Sequence, residues 1–178
     1  MSEPLQLWAW RHPRPEGAAG RCVGASSDLP VHWRRAKRLA RHIQATARRQ
    51  GLPHCIHTSP LARCRDVGSW LRRWGWRHVV DRALLELDFG AWDGKTWPAI
   101  GQAAVDAWCA DFAAHRPGGG ESLQDLLRRA RGWQTGGGPA LLVTHGGWVL
   151  ARGWAGAAPS RAADWPAAPR YGELRRLA

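Results

Sequence analysis

The sequence predicts an α/β fold, a three-layer αβα sandwich around a largely parallel central sheet. Three observations predict it. Short apolar runs of strand length alternate with longer stretches whose apolar residues recur every three or four positions. Two of the runs, Leu5–Trp10 and Pro139–Thr144, are almost wholly apolar, as strands covered on both faces must be. Each of these two passes directly into a histidine and turn residues, Arg11-His12-Pro13 and His145-Gly146-Gly147. With 178 residues, 44% of them apolar, the chain can bury one proper core, and a single domain over 1–178 is expected.

In chain order, Leu5–Trp10 is the first strand, stopped by Pro13 and Pro15, which cannot donate to a sheet ladder. Gly17, Gly20 and Gly24 keep the next segment in a loop as far as Pro30. Trp33–Arg49 is an amphipathic helix with Ala36, Leu39, Ala40, Ile43 and Ala47 inward and its basic residues outward, ended by Gly51 and Pro53. Cys55–Thr58 is the second strand. Ser59 then fits a helix N-cap and Pro60 the first helical position of a helix running to about Trp74, with Arg63 on its first turn. His78–Val80 is a brief third strand, and Leu84–Gly94 a loop with acids among apolar residues. Thr96–Ala114 is expected to form one helix despite Gly101, and Glu121–Trp133 another, after the turn Pro117–Gly120. After the last buried strand, Pro139–Thr144, a helix starts at Trp148, and Tyr171–Leu177 forms an edge strand.

Composition narrows the function classes. The formal net charge of +12 raises nucleic acid as a partner, but lysine occurs only at Lys37 and Lys95 and the rest is arginine. Arginine, alanine, glycine and proline all have G/C-rich codons, so base composition accounts for much of the excess, and no nucleic-acid partner is expected. Cys22, Cys55, Cys64 and Cys109 form no Cys-x-x-Cys pair, and the cluster His54-Cys55-Ile56-His57 with Cys64 matches no zinc spacing. No metal and no cofactor are expected. Met1–Pro4 carries no basic leader and no stretch is as long as a membrane span, so a cytoplasmic protein is expected. Oligomeric state is not readable.

Arg-His occurs three times, at Arg11-His12, Arg41-His42 and Arg77-His78, but only the first follows a buried strand. In a parallel sheet, the strand ends bearing His12 and His145 share one edge, and the helix N-terminus bearing Arg63 lies beside it. Two arginines, two histidines and a helix terminus around one small volume suit a phosphoryl group, whose transfer needs charge stabilisation on the equatorial oxygens. Glu86 or Asp88, on a loop near that edge, is the candidate acid for the leaving oxygen.

These residues resemble the histidine phosphatase superfamily, which includes phosphoglycerate mutases and acid phosphatases, and within it the bacterial alpha-ribazole phosphatase branch. The resemblance rests on Arg11-His12-Pro13 with the following Gly20–Gly24 and Asp28-Leu29-Pro30; Thr58–Cys64; Leu85–Gly94; Pro117–Ser122; and Val143–Gly147, in that order. It implies a phosphoglycerate mutase-like sandwich and a metal-independent phosphomonoesterase. His12 would be the nucleophile forming a phosphohistidine; Arg11, Arg63 and His145 would bind the phosphoryl group; and Glu86, chosen over Asp88 by motif alignment, would be the acid and then the base. Arg14 would be an added substrate contact. Pro13-Arg14-Pro15 stands where many members read Gly-Glu-Thr, which points away from a mutase and towards the hydrolysis of alpha-ribazole 5′-phosphate in cobalamin assembly. The alternatives are a broad-specificity or sugar-phosphate phosphatase and, from a different class, a basic nucleic-acid-binding protein on an inactive scaffold.

Overall fold

The computed structural model describes residues 6–178; Leu5, the expected start of the first strand, and Met1–Pro4 lie outside the described residues. Five strands form one sheet: β1 (Leu7–Arg11), β2 (Cys55–Thr58), β3 (Arg77–Val80), β4 (Ala140–Thr144) and β5 (Leu174–Leu177), in the spatial order β3-β2-β4-β1-β5. β4 lies parallel between β1 and β2, β3 is parallel to β2, and only β5 runs antiparallel, on the β1 edge. Strand alternation divides the core. Trp8, Trp10, Ile56, Leu141 and Val143 pack against α1 (Trp33–Gln50) and α2 (Ala62–Arg73). Leu7, Ala9, Ala140 and Leu142 face the opposite layer, which includes α5 (Leu123–Gly132) and α6 (Gly146–Gly153). Every apolar residue assigned to the inner face of α1 is buried.

Three expectations fail for local reasons. The segment from Thr96 is not one helix: it splits into α3 (Trp97–Ile100) and α4 (Gln102–Ala110), because Gly101 sits at φ 91°, outside any helix. The second helix starts two residues later than expected. Its N-cap is Leu61, and Ser59 and Pro60 belong to the turn before it. Ser59 Oγ accepts from the Leu61 N–H at 3.3 Å, while Asp28 Oδ1 caps from a distance, accepting from the Ala62 N–H at 2.6 Å. The last helix also begins early, at Gly146 rather than Trp148, so that His145 itself is the N-cap residue.

The result is one functional edge. Arg11 pairs with Thr144 and Thr58 with Val143, so the carboxyl ends of β1, β4 and β2 lie side by side. The ladder runs one residue further, with the His12 N–H donating to the Thr144 carbonyl at 2.9 Å. No helix of the described residues is long and apolar enough to cross a membrane.

Candidate active site

Arg11, His12, Arg63 and Glu86 line one cavity of about 420 Å³ at this edge. The His12 and His145 rings meet edge to face, with centroids 5.1 Å apart. His12 Nδ1 is 2.7 Å from the Pro13 carbonyl, which can only accept, so Nδ1 carries the proton and Nε2 keeps its lone pair. Burial, helped by the positive charges of Arg63 and Arg11, holds His12 well below the ordinary imidazole value, against the opposing pull of the Pro13 carbonyl. The ring is therefore neutral at physiological pH, the form a nitrogen nucleophile requires.

Arg63 is 1% exposed yet forms no ion pair with a carboxylate among the described residues. Its donors go to neutral acceptors: Nη2 to the Gly24 carbonyl at 2.9 Å, Nη1 to the Ser27 carbonyl, and Nε to His145 Nδ1 at 3.3 Å. Hydrogen bonds are satisfied while the charge is not, and such a cation favours an anion in the adjoining cavity. Arg11 is similar. Nη1 donates to the Pro169 carbonyl at 2.7 Å and the guanidinium lies 4.0 Å from the Tyr171 ring centroid, whereas the buried Nε–H has no acceptor among the described residues.

His145 is fully buried and stands behind Arg63 rather than on the cavity wall. Because Nδ1 accepts from Arg63, the proton is on Nε2, which donates to Ser59 Oγ at 2.8 Å. Burial first, then Arg63 and His12, keep it well below the ordinary imidazole value. The two histidines thus hold opposite tautomers. Cys64 Sγ lies 3.5 Å from His145 Nε2, but burial pushes its thiol up to about 12, so it is no competing nucleophile.

Glu86 is anchored by two backbone donors: Oε1 accepts from Leu87 N–H at 3.0 Å and Oε2 from Gly147 N–H at 3.1 Å, in the first turn of α6. A Cβ at Gly147 would collide with Glu86 Oε1, so only glycine lets the carboxyl sit there. Asp88 faces elsewhere. Its Oδ1 accepts from Gly90 N–H at 2.8 Å and it lines a separate hollow with Glu121 and Arg129. Arg14 is not brought to this cavity: it is exposed, and its carbonyl accepts from Arg35 Nη1 at 3.2 Å. Among the described residues, no group of three or more His, Cys, Asp or Glu gathers at metal-holding distance.

The match to the family model for the histidine phosphatase superfamily (branch 1) runs from residue 7 to residue 173. The chain belongs to the histidine phosphatase superfamily. It is 34% identical over 135 residues to the Bifunctional protein Rv2228c of Mycobacterium tuberculosis; that stretch is 72% of this chain but 36% of the relative, so the chain spans about a third of that protein's length. Among solved structures, the native mycobacterial glucosyl-3-phosphoglycerate phosphatase Rv2419c matches at 29% identity and TM-score 0.64, over 83% of this chain and 77% of that one. The complex of the same phosphatase with VO3 matches over 98% of this chain and 91% of that one, at 26% identity and TM-score 0.74. Bacillus stearothermophilus YhfR, 22% identical with TM-score 0.74 over 97% of this chain and 90% of that one, shares the fold.

This histidine phosphatase chain also uses residues that the sequence alone did not single out. Asp93 accepts from Gly24 N–H at 2.9 Å, Ser26 N–H at 2.7 Å and Ser27 Oγ–H, fixing the loop whose Gly24 and Ser27 carbonyls hold Arg63. Tyr171, expected at the start of the edge strand, lies before β5 and covers Arg11 and His12 instead, 5.6 Å from the His12 ring. Arg129 supports the Glu86 loop through the carbonyls of Ala83, Leu85 and Glu86 while paired to Glu121. These contacts span tens of residues and leave no local pattern. The one available signal was the excess of tryptophan, since Trp97, Trp108 and Trp165 reach the same cavity.

Proposed function

We propose that this chain is a phosphomonoesterase that works through a phosphohistidine on His12. The observation that carries the reading is the hydrogen bond from His12 Nδ1 to the Pro13 carbonyl, which leaves Nε2 unprotonated beside two arginines that form no ion pair among the described residues. In the first half-reaction His12 Nε2 attacks phosphorus and the P–O bond to the leaving alcohol breaks. Glu86 gives its proton to the departing oxygen. Arg11 and Arg63 stabilise the charge that builds on the equatorial oxygens. In the second, Glu86 takes a proton from water, the water oxygen bonds to phosphorus, and the P–N bond breaks to restore neutral His12 and release inorganic phosphate. His145, in this scheme, accepts from Arg63 Nε through Nδ1 and so holds that guanidinium from behind the cavity.

The finer reading, hydrolysis of alpha-ribazole 5′-phosphate, draws support from the cavity wall away from the arginines. Phe89, Trp108, Phe112 and Trp165 form a connected aromatic surface with ring centroids 5.3–6.3 Å apart, which suits a flat apolar base better than a hydroxyl-rich sugar. The second reading, a sugar-phosphate phosphatase, draws on the likeness to glucosyl-3-phosphoglycerate phosphatase. Steady-state kinetics on alpha-ribazole 5′-phosphate, glucosyl-3-phosphoglycerate and 3-phosphoglycerate separate them. The aromatic wall predicts a kcat/KM at least about tenfold higher for the ribazole ester. A preference for the glucosyl ester supports the second reading, and no turnover of any phosphomonoester contradicts both.

A further inference from the structure

The outer face of α1 takes no part in the phosphoryl site. Seven of its eighteen residues are arginine or lysine and none is acidic. Among the described residues, none of the seven forms an ion pair. Two hollows lie along this face. One, of about 400 Å³, is lined by Pro13, Arg14, Arg35, Arg38, His42 and Tyr171 among others. The other, of about 320 Å³, is lined by Trp33, Arg34, Lys37, Arg38 and Arg41. Arg38 is common to both, so they form one path, and neither contains an acidic residue. At its far end Trp33 is 53% exposed, the most exposed large apolar side chain described. Beside it Trp70 lies 6.5 Å away, with Lys37 and Arg73 over its ring at 4.7 and 4.8 Å. At its near end Tyr171 is shared with the cavity that holds His12.

We infer that this path binds single-stranded nucleic acid, phosphates on Arg35, Arg38 and Arg41 and a base on the Trp33 indole. Codon bias accounts for abundant arginine but not for its segregation onto a face without acids and around a half-exposed indole, which His32 and Arg34 flank at 6.0 and 5.3 Å. An anionic membrane is the poorer occupant: Ala36, Leu39, Ala40, Ile43 and Ala47 all point into the core, leaving no apolar stripe to insert. A duplex offers phosphates but keeps its bases stacked away from Trp33, whereas a single strand supplies both partners the path presents.

The test is fluorescence anisotropy of the whole chain with a labelled oligo-deoxythymidylate of about 20 nucleotides, titrated between about 50 and 200 mM salt. Arg35→Ala/Arg38→Ala should weaken binding at least about tenfold and flatten the log–log salt dependence by about 1.4, since each lost phosphate contact on a single strand removes about 0.7. Trp33→Ala should weaken it about fivefold or more with the salt dependence unchanged. Arg128→Ala/Arg161→Ala removes the same formal charge from exposed residues on other elements and should leave affinity within about twofold. All these variants should hydrolyse para-nitrophenyl phosphate like the parent, which separates failure here from failure of the phosphatase reading. No anisotropy change at the lowest salt overturns the inference. So does equal loss in the Arg128/Arg161 control, or tighter binding to a duplex of the same length or to phosphatidylserine vesicles.

Discussion

The two halves of the cavity are built differently. On the phosphoryl side, β1, β4 and the start of α2 place His12, Arg11 and Arg63, and each is fixed by hydrogen bonds to backbone carbonyls, of Pro13, Pro169, Gly24 and Ser27. On the leaving-group side the wall comes from the short helix α3, the helix α4 and the coil around Trp165, and its contacts are ring against ring. Backbone-fixed groups tolerate little movement and hold a geometry suited to charge in flight. A wall of side chains can change by substitution without disturbing the sheet. Under the proposed mechanism, the first half sets the chemistry and the second the choice of ester.

Substitutions on the two sides should have different signatures. The largest effect belongs to Arg63→Ala, expected to lower kcat/KM by about 10³ for every ester; Arg63→Lys should not restore it, because an ammonium cannot reach Gly24, Ser27 and His145 at once. Glu86→Gln is expected to lower kcat about a hundredfold for an alkyl phosphate but only a few-fold for a dinitrophenyl ester, which needs no protonated leaving group; equal losses on both would remove Glu86 as the acid. Trp165→Ala should cost about tenfold in kcat/KM for an ester with an aromatic base and about threefold or less for a small sugar phosphate. A uniform loss there would erase the distinction between the halves. Asp93→Ala removes the acceptor of three donors; thermal unfolding should report a loss of about 2 kcal/mol, with a smaller effect on KM than on kcat.

The phosphoryl side should also leave a pH signature in stability. His12 and His145 are both held below the unfolded imidazole value of about 6.5, so the unfolded chain binds more protons than the native one below that pH. Their stabilising contribution is complete above about pH 6.5 and is lost as the pH falls towards the folded values. Urea titrations should show stability declining on acidification, by up to about 1.4 kcal/mol per pH unit for each histidine. His145→Gln should lessen that slope, and an unchanged slope would place the loss elsewhere.

What could be read from the residues follows the same division. β1 and β4 were legible because a buried strand next to a turn signal is a local pattern, and the strand order then brings His12 and His145 together. Arg63 was legible as a first-turn residue even though Pro60 misplaced the helix start by two positions. Asp28 was visible only as part of a motif, and its role as the cap of α2 from 34 residues away is set by tertiary packing. Gly101 was visible, but a single glycine within an apolar stretch does not declare whether the helix continues. Asp93, Tyr171 and the aromatic wall were not legible in role, because their partners are set by tertiary packing: Asp93 reaches back 69 residues to Gly24, and Tyr171 reaches Arg11 across the sheet edge. Arg14 shows the converse. Its place in the motif suggested a substrate contact, yet the turn after His12 directs it to the α1 face.

The central claim is that His12 carries the phosphoryl group. Rapid mixing with a ³²P-labelled phosphomonoester, quenching in alkali and mapping of the labelled peptide test it most directly. The account predicts a label that is stable in base, lost in acid, located on His12 and absent from His12→Ala, which should also lose turnover. A turning-over enzyme with no trapped label, an acid-stable label, or a label that persists in His12→Ala would contradict it.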